Sequence, residues 1–211
     1  MHVLKQLIAR GESQTLEFKF ELNSARKIAA TLSAFSNSDG GTLLIGVKDN
    51  GGIAGIRLEE ELYVLDAAAT MYCKPPVNLE NKRWEVDGKF ILEAKVPASN
   101  ERPVKAESEP GQWKAFLRSG ASNRLASPVH LELWQLTDPE KEKPSAFTEK
   151  QQKVLKAFQE KKWLSLNQAT RITKLQRHIV AKTLANFLRW NLVEWEPEEG
   201  GGFVFVLTED E

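Results

Sequence analysis

Three carboxylates and a lysine fall in one stretch of the chain: Glu12, Glu17 and Asp49, with Lys19 two positions after Glu17. Carboxylate oxygens are preferred ligands of Mg²⁺ and Mn²⁺. Brought together, these acids could hold a divalent cation that activates water against a phosphodiester, with Lys19 stabilising the developing charge. The same residues also describe a solvated sheet face that ends in a hairpin turn, and residue type alone leaves both readings open. Glycines punctuate the run. The backbone amides of Gly40 and Gly41 could approach a phosphate of a nucleotide or nucleic acid, although turn geometry explains such glycines equally well. No GxxxxGK[ST] stretch is present to cradle a triphosphate, so ATP binding stands only as a further alternative.

These residues need elements to position them. Leu16, Phe18 and Phe20 alternate with Glu17, Lys19 and Glu21, a period of two that sends the apolar residues to a core and the charges to the opposite face of a strand. A second strand is expected over 42–47, with Asp49 closing it before Asn50, Gly51 and Gly52. Between them Ala25, Ile28, Ala29, Leu32 and Phe35 mark one face of a helix over 24–35, capped by Asn23 or Ser24 and ended by the stretch 37–41. Further on, a helix over 58–72 must stop before Pro75 and Pro76. Strands at 83–86 and 90–96 flank the turn formers Asp87 and Gly88. A strand at 113–118 follows a loop rich in Pro, Glu and Ser, and Ser127 with Pro128 opens a short helix. Arg118, Ser119, Asn123 and Arg124 read as a polar loop after that strand, whose basic and amide groups could grip phosphates, although a surface loop explains them as well.

The residues Glu12, Glu17, Phe18 and Lys19, then Ala34, Phe35, Asn37, Gly40 and Gly41, the stretch 46–51, Gly55, and more weakly the stretch FLRSGAS, resemble the Alba-like domain of the Schlafen family over about residues 10–135. That resemblance implies nucleic-acid binding. In the nuclease members three acidic residues form the active site, and the positions here that match their motif are Glu12, Glu17 and Asp49. The resemblance would therefore make these the metal ligands of a Mg²⁺- or Mn²⁺-dependent ribonuclease. The zinc site of the animal enzymes is built from cysteine and histidine and cannot be present, because this chain has only Cys73. Animal Schlafens carry two copies of the domain where one is found here, and a homodimer could supply the second.

Downstream of 137 the pattern changes. The stretch 138–147 reads as a polar, proline-bracketed linker, which divides the chain into domains at 1–137 and 148–211. Thr148 caps a helix to about 160 with Val154, Leu155 and Phe158 on its apolar side. Ser165 caps a second helix with Ala169 and Ile172 inward. A third, over 176–190, turns Val180, Leu184 and Phe187 inward, and Asn191 is suited to the left-handed conformation that ends it. Strands at 192–195 and 203–207 follow. Three helices and then a hairpin resemble winged-helix regulators. In that arrangement the third helix enters a major groove, where Gln176 and Arg177 could read base edges, Lys174 and Lys182 meet phosphates, and His178 shares the same face.

The 211 residues carry no net charge, with 29 basic and 29 acidic side chains, but the balance is uneven along the chain. From 148 to 191 there are ten Lys or Arg against two acids, a net charge of +8; from 192 to 211 there are seven acids and no base. The acidic hairpin should be repelled by a phosphate backbone, so it is not expected to track a minor groove. A single cysteine excludes an internal disulfide framework and suits a reducing compartment, and no run reaches the length of a membrane span. The expectation is a cytoplasmic α+β protein that binds nucleic acid, DNA in preference to RNA, as a homodimeric regulator with no required cofactor. The alternatives are the metal-dependent ribonuclease and a nucleotide-binding regulatory protein.

Overall fold

A computed structural model describes residues 2–136 and 144–208, and the chain divides into two compact units, Met1–Leu125 and Ala126–Glu211. Most of the expected linker lies outside the described residues, because 137–143 are not among them.

In the first unit the order is α1 (His2–Ala9), β1 (Leu16–Lys19), α2 (Ala25–Ser36), β2 (Gly41–Ile45), α3 (Leu58–Thr70), β3 (Cys73–Lys74), β4 (Glu80–Val86), β5 (Lys89–Val96), β6 (Lys105–Glu109), β7 (Gln112–Ser119) and β8 (Ser122–Leu125). Strands β1 and β2 run parallel with Leu16 opposite Thr42, which requires the crossover that α2 supplies. The sheet continues antiparallel in the order β1-β2-β5-β4, and a second sheet has the order β3-β6-β7-β8. The hairpin between β4 and β5 turns at Asp87 and Gly88, both at positive φ (51° and 72°), the backbone that a tight two-residue turn demands.

Alternation along β1 holds, but the face opposite Phe18 is not solvent. Leu16 and Phe18 pack with Leu4, Leu44, Val47, Val86 and Ile91 beneath α1. Residues of the other face, including Leu43, Ile45, Leu92, Ala94 and Val96, join Ile28, Leu32 and Phe35 of α2, Ala106 of the second sheet and Val104 just before it. Helix α2 is thus sandwiched, and Glu17 points into this layer at 4% exposure. Phe20, expected in the core, lies past the strand end and is exposed.

Helix α2 starts where Ser24 Oγ accepts from the Lys27 amide. At its far end Asn37 joins the layers. Its Nδ2 donates to the carbonyls of Val104 (2.8 Å) and Phe116 (2.9 Å), and its Oδ1 accepts from the Val104 amide (2.8 Å). Gly40 has φ +75°, and a Cβ there would stand 2.7 Å from the Val96 carbonyl oxygen; one on Gly41 would stand 2.3 Å from the Phe35 ring. Close packing between the helix end and the sheet therefore accounts for both glycines.

The second unit contains α4 (Pro128–Gln135), α5 (Glu149–Glu160), β9 (Trp163–Ser165), α6 (Leu166–Thr173), α7 (Arg177–Arg189), β10 (Val193–Pro197) and β11 (Phe203–Leu207), with sheet order β10-β11-β9. Three of its helices open with a reciprocal cap in which residue and N3 side chain exchange hydrogen bonds: Ser127 with His130, Thr148 with Gln151, and Ser165 with Gln168. Helix α4 packs on α7 within this unit, upstream of the start at 148 that composition alone sets. Val180, Ala181, Leu184 and Phe187 of α7 are buried, Asn191 takes the left-handed conformation at φ 53°, and Ile172, expected inward, is 38% exposed. Among the described residues no helix is long and apolar enough to cross a membrane.

Candidate functional site

Glu17 is the centre of a buried ionic cluster. Its Oε2 accepts from Arg118 Nη1 at 2.5 Å, and its Oε1 meets Lys19 Nζ at 2.7 Å and accepts from Thr31 Oγ1 at 3.2 Å. Arg118 is wholly buried on β7. It donates further to Asn123 Oδ1 (2.8 Å) and to the Ser13 carbonyl (2.6 Å), with Phe35 under its guanidinium at 4.7 Å. Asn123 closes the ring by donating from Nδ2 to Thr31 Oγ1 at 2.9 Å. Burial pulls the Arg118 pKa down and the Glu17 carboxylate opposes that shift, so the pair is held together as a charged unit. The cluster joins β1, α2, β7 and β8.

The three acids expected to act together are placed apart. Glu17 faces α2. Glu12 instead folds along the edge strand β1, where its Oε1 accepts from the Phe18 amide at 2.9 Å and satisfies a donor that no neighbouring strand meets. Asp49 is exposed in the turn after β2, beside an open cleft lined by Lys5, Ile8, Gly11 and Phe18. Among the described residues no three of His, Cys, Asp or Glu are grouped so that they could hold a metal ion. Lys19 lies against Glu17, and Gly40 and Gly41 face protein backbone and the Phe35 ring. Arg118, expected at a phosphate, is corrected: at 0% exposure its guanidinium is committed to Glu17 and the carbonyls around it. Arg124 is half-buried on β8.

A family model described as "Schlafen, AlbA_2" matches residues 12–127. The chain belongs to this family. The matched segment contains the whole of the Glu17–Arg118 cluster, from Ser13 to Asn123, so the family pattern and the buried network coincide in this AlbA_2 chain. No curated protein matches the chain. Among solved structures, the DIP2311 protein of Corynebacterium diphtheriae is 19% identical with a TM-score of 0.48, over 92% of this chain and 34% of that one. The N-terminal domain of a RecG-related protein from Nitrosomonas europaea is 26% identical with a TM-score of 0.43, over 60% of this chain and 88% of that one. This chain thus spans about a third of the length of the first of these structures.

In the second unit the expected residues are exposed at the end of α6 and over the first turns of α7. Lys174 ends α6 in the left-handed conformation (φ 55°); Gln176 caps α7 and Arg177 opens it, both exposed at the helix start, while His178 and Lys182, one turn apart, are exposed opposite its buried face. Arg177 Nη1 donates to Asn167 Oδ1 of α6, which ties the two helices together. Glu194, Glu196, Glu198 and Glu199 lie on the β10 side of the hairpin. Behind it His130 is 2% exposed, edge-on to Trp195 (5.3 Å between ring centres) and Phe203 (4.5 Å). Its Nδ1 accepts from the Ser127 amide, and burial pushes its pKa down to about 4.

Sequence reasoning does not single out Thr31 as a site residue, and it places Asn123 at a phosphate, whereas here Asn123 closes the ring around Glu17. The available signal is an arginine directly after the apolar pair Phe116 and Leu117 at the end of the expected strand 113–118, which, once buried, needs an acid beside it. That acid is 101 positions away, and no local pattern names it.

Proposed function

We propose that this chain is a nucleic-acid-binding protein whose second unit acts as a winged helix on duplex DNA, in a regulatory role. The observation that carries the reading is the exposed, basic N-terminal part of α7. Lys174, Gln176 and Arg177 are exposed at the start of the helix, and His178 and Lys182 are exposed opposite its buried side. That part lies in the stretch of net charge +8, the footprint that counterion release requires. Membership of the Schlafen AlbA_2 family supports the same class of partner for the first unit, because the resemblance implies nucleic-acid binding. Pairing as a homodimer on a symmetric site belongs to this proposal.

The ribonuclease reading draws no support from the geometry. Glu17 uses both oxygens on Arg118, Lys19 and Thr31, and a cation would have to displace an arginine that cannot reach water.

The deciding experiment is a mobility-shift titration of the full chain on duplex DNA at two salt concentrations. Binding should weaken with salt and weaken again in Arg177→Ala. An affinity indifferent to both changes would refute the reading.

A further inference from the structure

Trp163 begins β9 and is 50% exposed, although Leu164 beside it is completely buried and anchors the strand. Strand β9 is an edge of its sheet, so no further strand covers its outer flank. Lys161 and Lys162 immediately precede it, and both are exposed. With Gln168 these three residues line an open cleft of about 370 Å³. Gln168 is held there because its Oε1 accepts from the Ser165 amide at 2.8 Å. The indole thus offers a flat π face beside two ammonium groups. Neither feature is used by the core, and neither belongs to the α7 face.

A planar aromatic beside flexible cations matches a ligand that is planar at one point and anionic at the next. We propose that Trp163, Lys161 and Lys162 form a stacking site for an unpaired nucleobase of a single-stranded polynucleotide. The indole takes the base, and the lysines take the flanking phosphates. The surrounding charge agrees, since the stretch from 148 to 191 has a net charge of +8. One opposing group is in the same row. Trp163 pairs with Val206, and Val206 pairs with Glu194. Glu194 is therefore two strands away, about 10 Å, which is about one Debye length at 0.1 M salt, whereas the lysines are chain neighbours of the indole. The proposal rests on the nucleic-acid reading given above but uses none of the residues of α7.

The test uses the full chain, a labelled oligothymidylate and a labelled blunt duplex, with binding followed by anisotropy. Trp163→Ala should weaken oligothymidylate binding by about tenfold, and Trp163→Phe should retain most of it, because stacking needs only an aromatic face. Lys161→Ala with Lys162→Ala should weaken it too and flatten its salt dependence. Duplex affinity should change by less than about twofold in Trp163→Ala, as for a surface change away from the contact, and Arg177→Ala should show the reverse pattern. Wild-type affinity for the oligonucleotide in Trp163→Ala overturns the proposal. So does that result joined to a change in sedimentation, which would assign the indole to a contact between copies. If the duplex binds in an Arg177-dependent way and the single strand does not bind, only this inference fails; if neither binds, the proposed function fails with it.

Discussion

Removing the carboxylate of Glu17 would leave the Arg118 guanidinium buried at 0% exposure with its charge uncompensated. Breaking one partner of such a pair costs roughly 3–5 kcal/mol, so Glu17→Ala should lower the urea midpoint sharply. Glu17→Leu combined with Arg118→Met should recover much of the loss, which a purely catalytic role for Glu17 would not predict. His130 gives a second residue-scale test. Its folded pKa of about 4 lies below the ordinary 6.5, so protonation favours the unfolded chain. Its contribution is complete above pH 6.5, declines as the pH falls toward 4 and levels off below that, a loss of about 3 kcal/mol. Denaturation across that window should show a steeper loss of stability toward acid in wild type than in His130→Phe. Cys73 is 1% exposed and burial raises its pKa to about 12, so a thiol reagent should label it only after denaturation.

At the scale of elements, α7 and the acidic hairpin make opposite predictions. Deleting one cation that meets a phosphate should reduce the slope of log affinity against log salt by about 1, so Lys182→Ala should flatten the duplex titration by that amount. Replacing Glu194, Glu196, Glu198 and Glu199 with glutamine should leave duplex affinity unchanged or raise it, and a clear loss would show that the hairpin contacts its partner through those acids. Legibility also divides by element. Helices α2 and α7 follow from apolar spacing and caps, and the hairpin of β4 and β5 from its Asp-Gly turn, because each signal is complete within a few residues. Strands β6 and β8 read as loops, since KAESE and SNRL carry almost no apolar alternation and are held by neighbouring strands instead. Strand β9 is three residues long and is set by pairing with β11. Helix α1 escapes a reading by local pattern, because eight residues without a capping signal form only by packing on a sheet, here through Leu4.

For the whole molecule, zero net charge conceals a strong separation of sign along the second unit. Bulk measures such as isoelectric behaviour would therefore report a neutral protein, while local potential governs any polyanion encounter. The candidate site is legible in the same uneven way. The exposed α7 face is readable because its residues are sequence neighbours on one helix. The fate of Glu17 is not readable, because alternation reveals which face a side chain takes but not what covers that face. The covering layer comes from β7 and β8, about a hundred positions later along the chain.

That separation bears on how the protein is born. Until Arg118 leaves the ribosome, Glu17 has only the partly exposed Lys19 as a cation and lacks the buried guanidinium on its second oxygen, so the nascent N-terminal segment cannot complete its layers however well α2 has formed. Arrested chains ending before and after residue 118, once clear of the exit tunnel, should differ abruptly in resistance to protease, with the shorter ones held open by one half-matched acid.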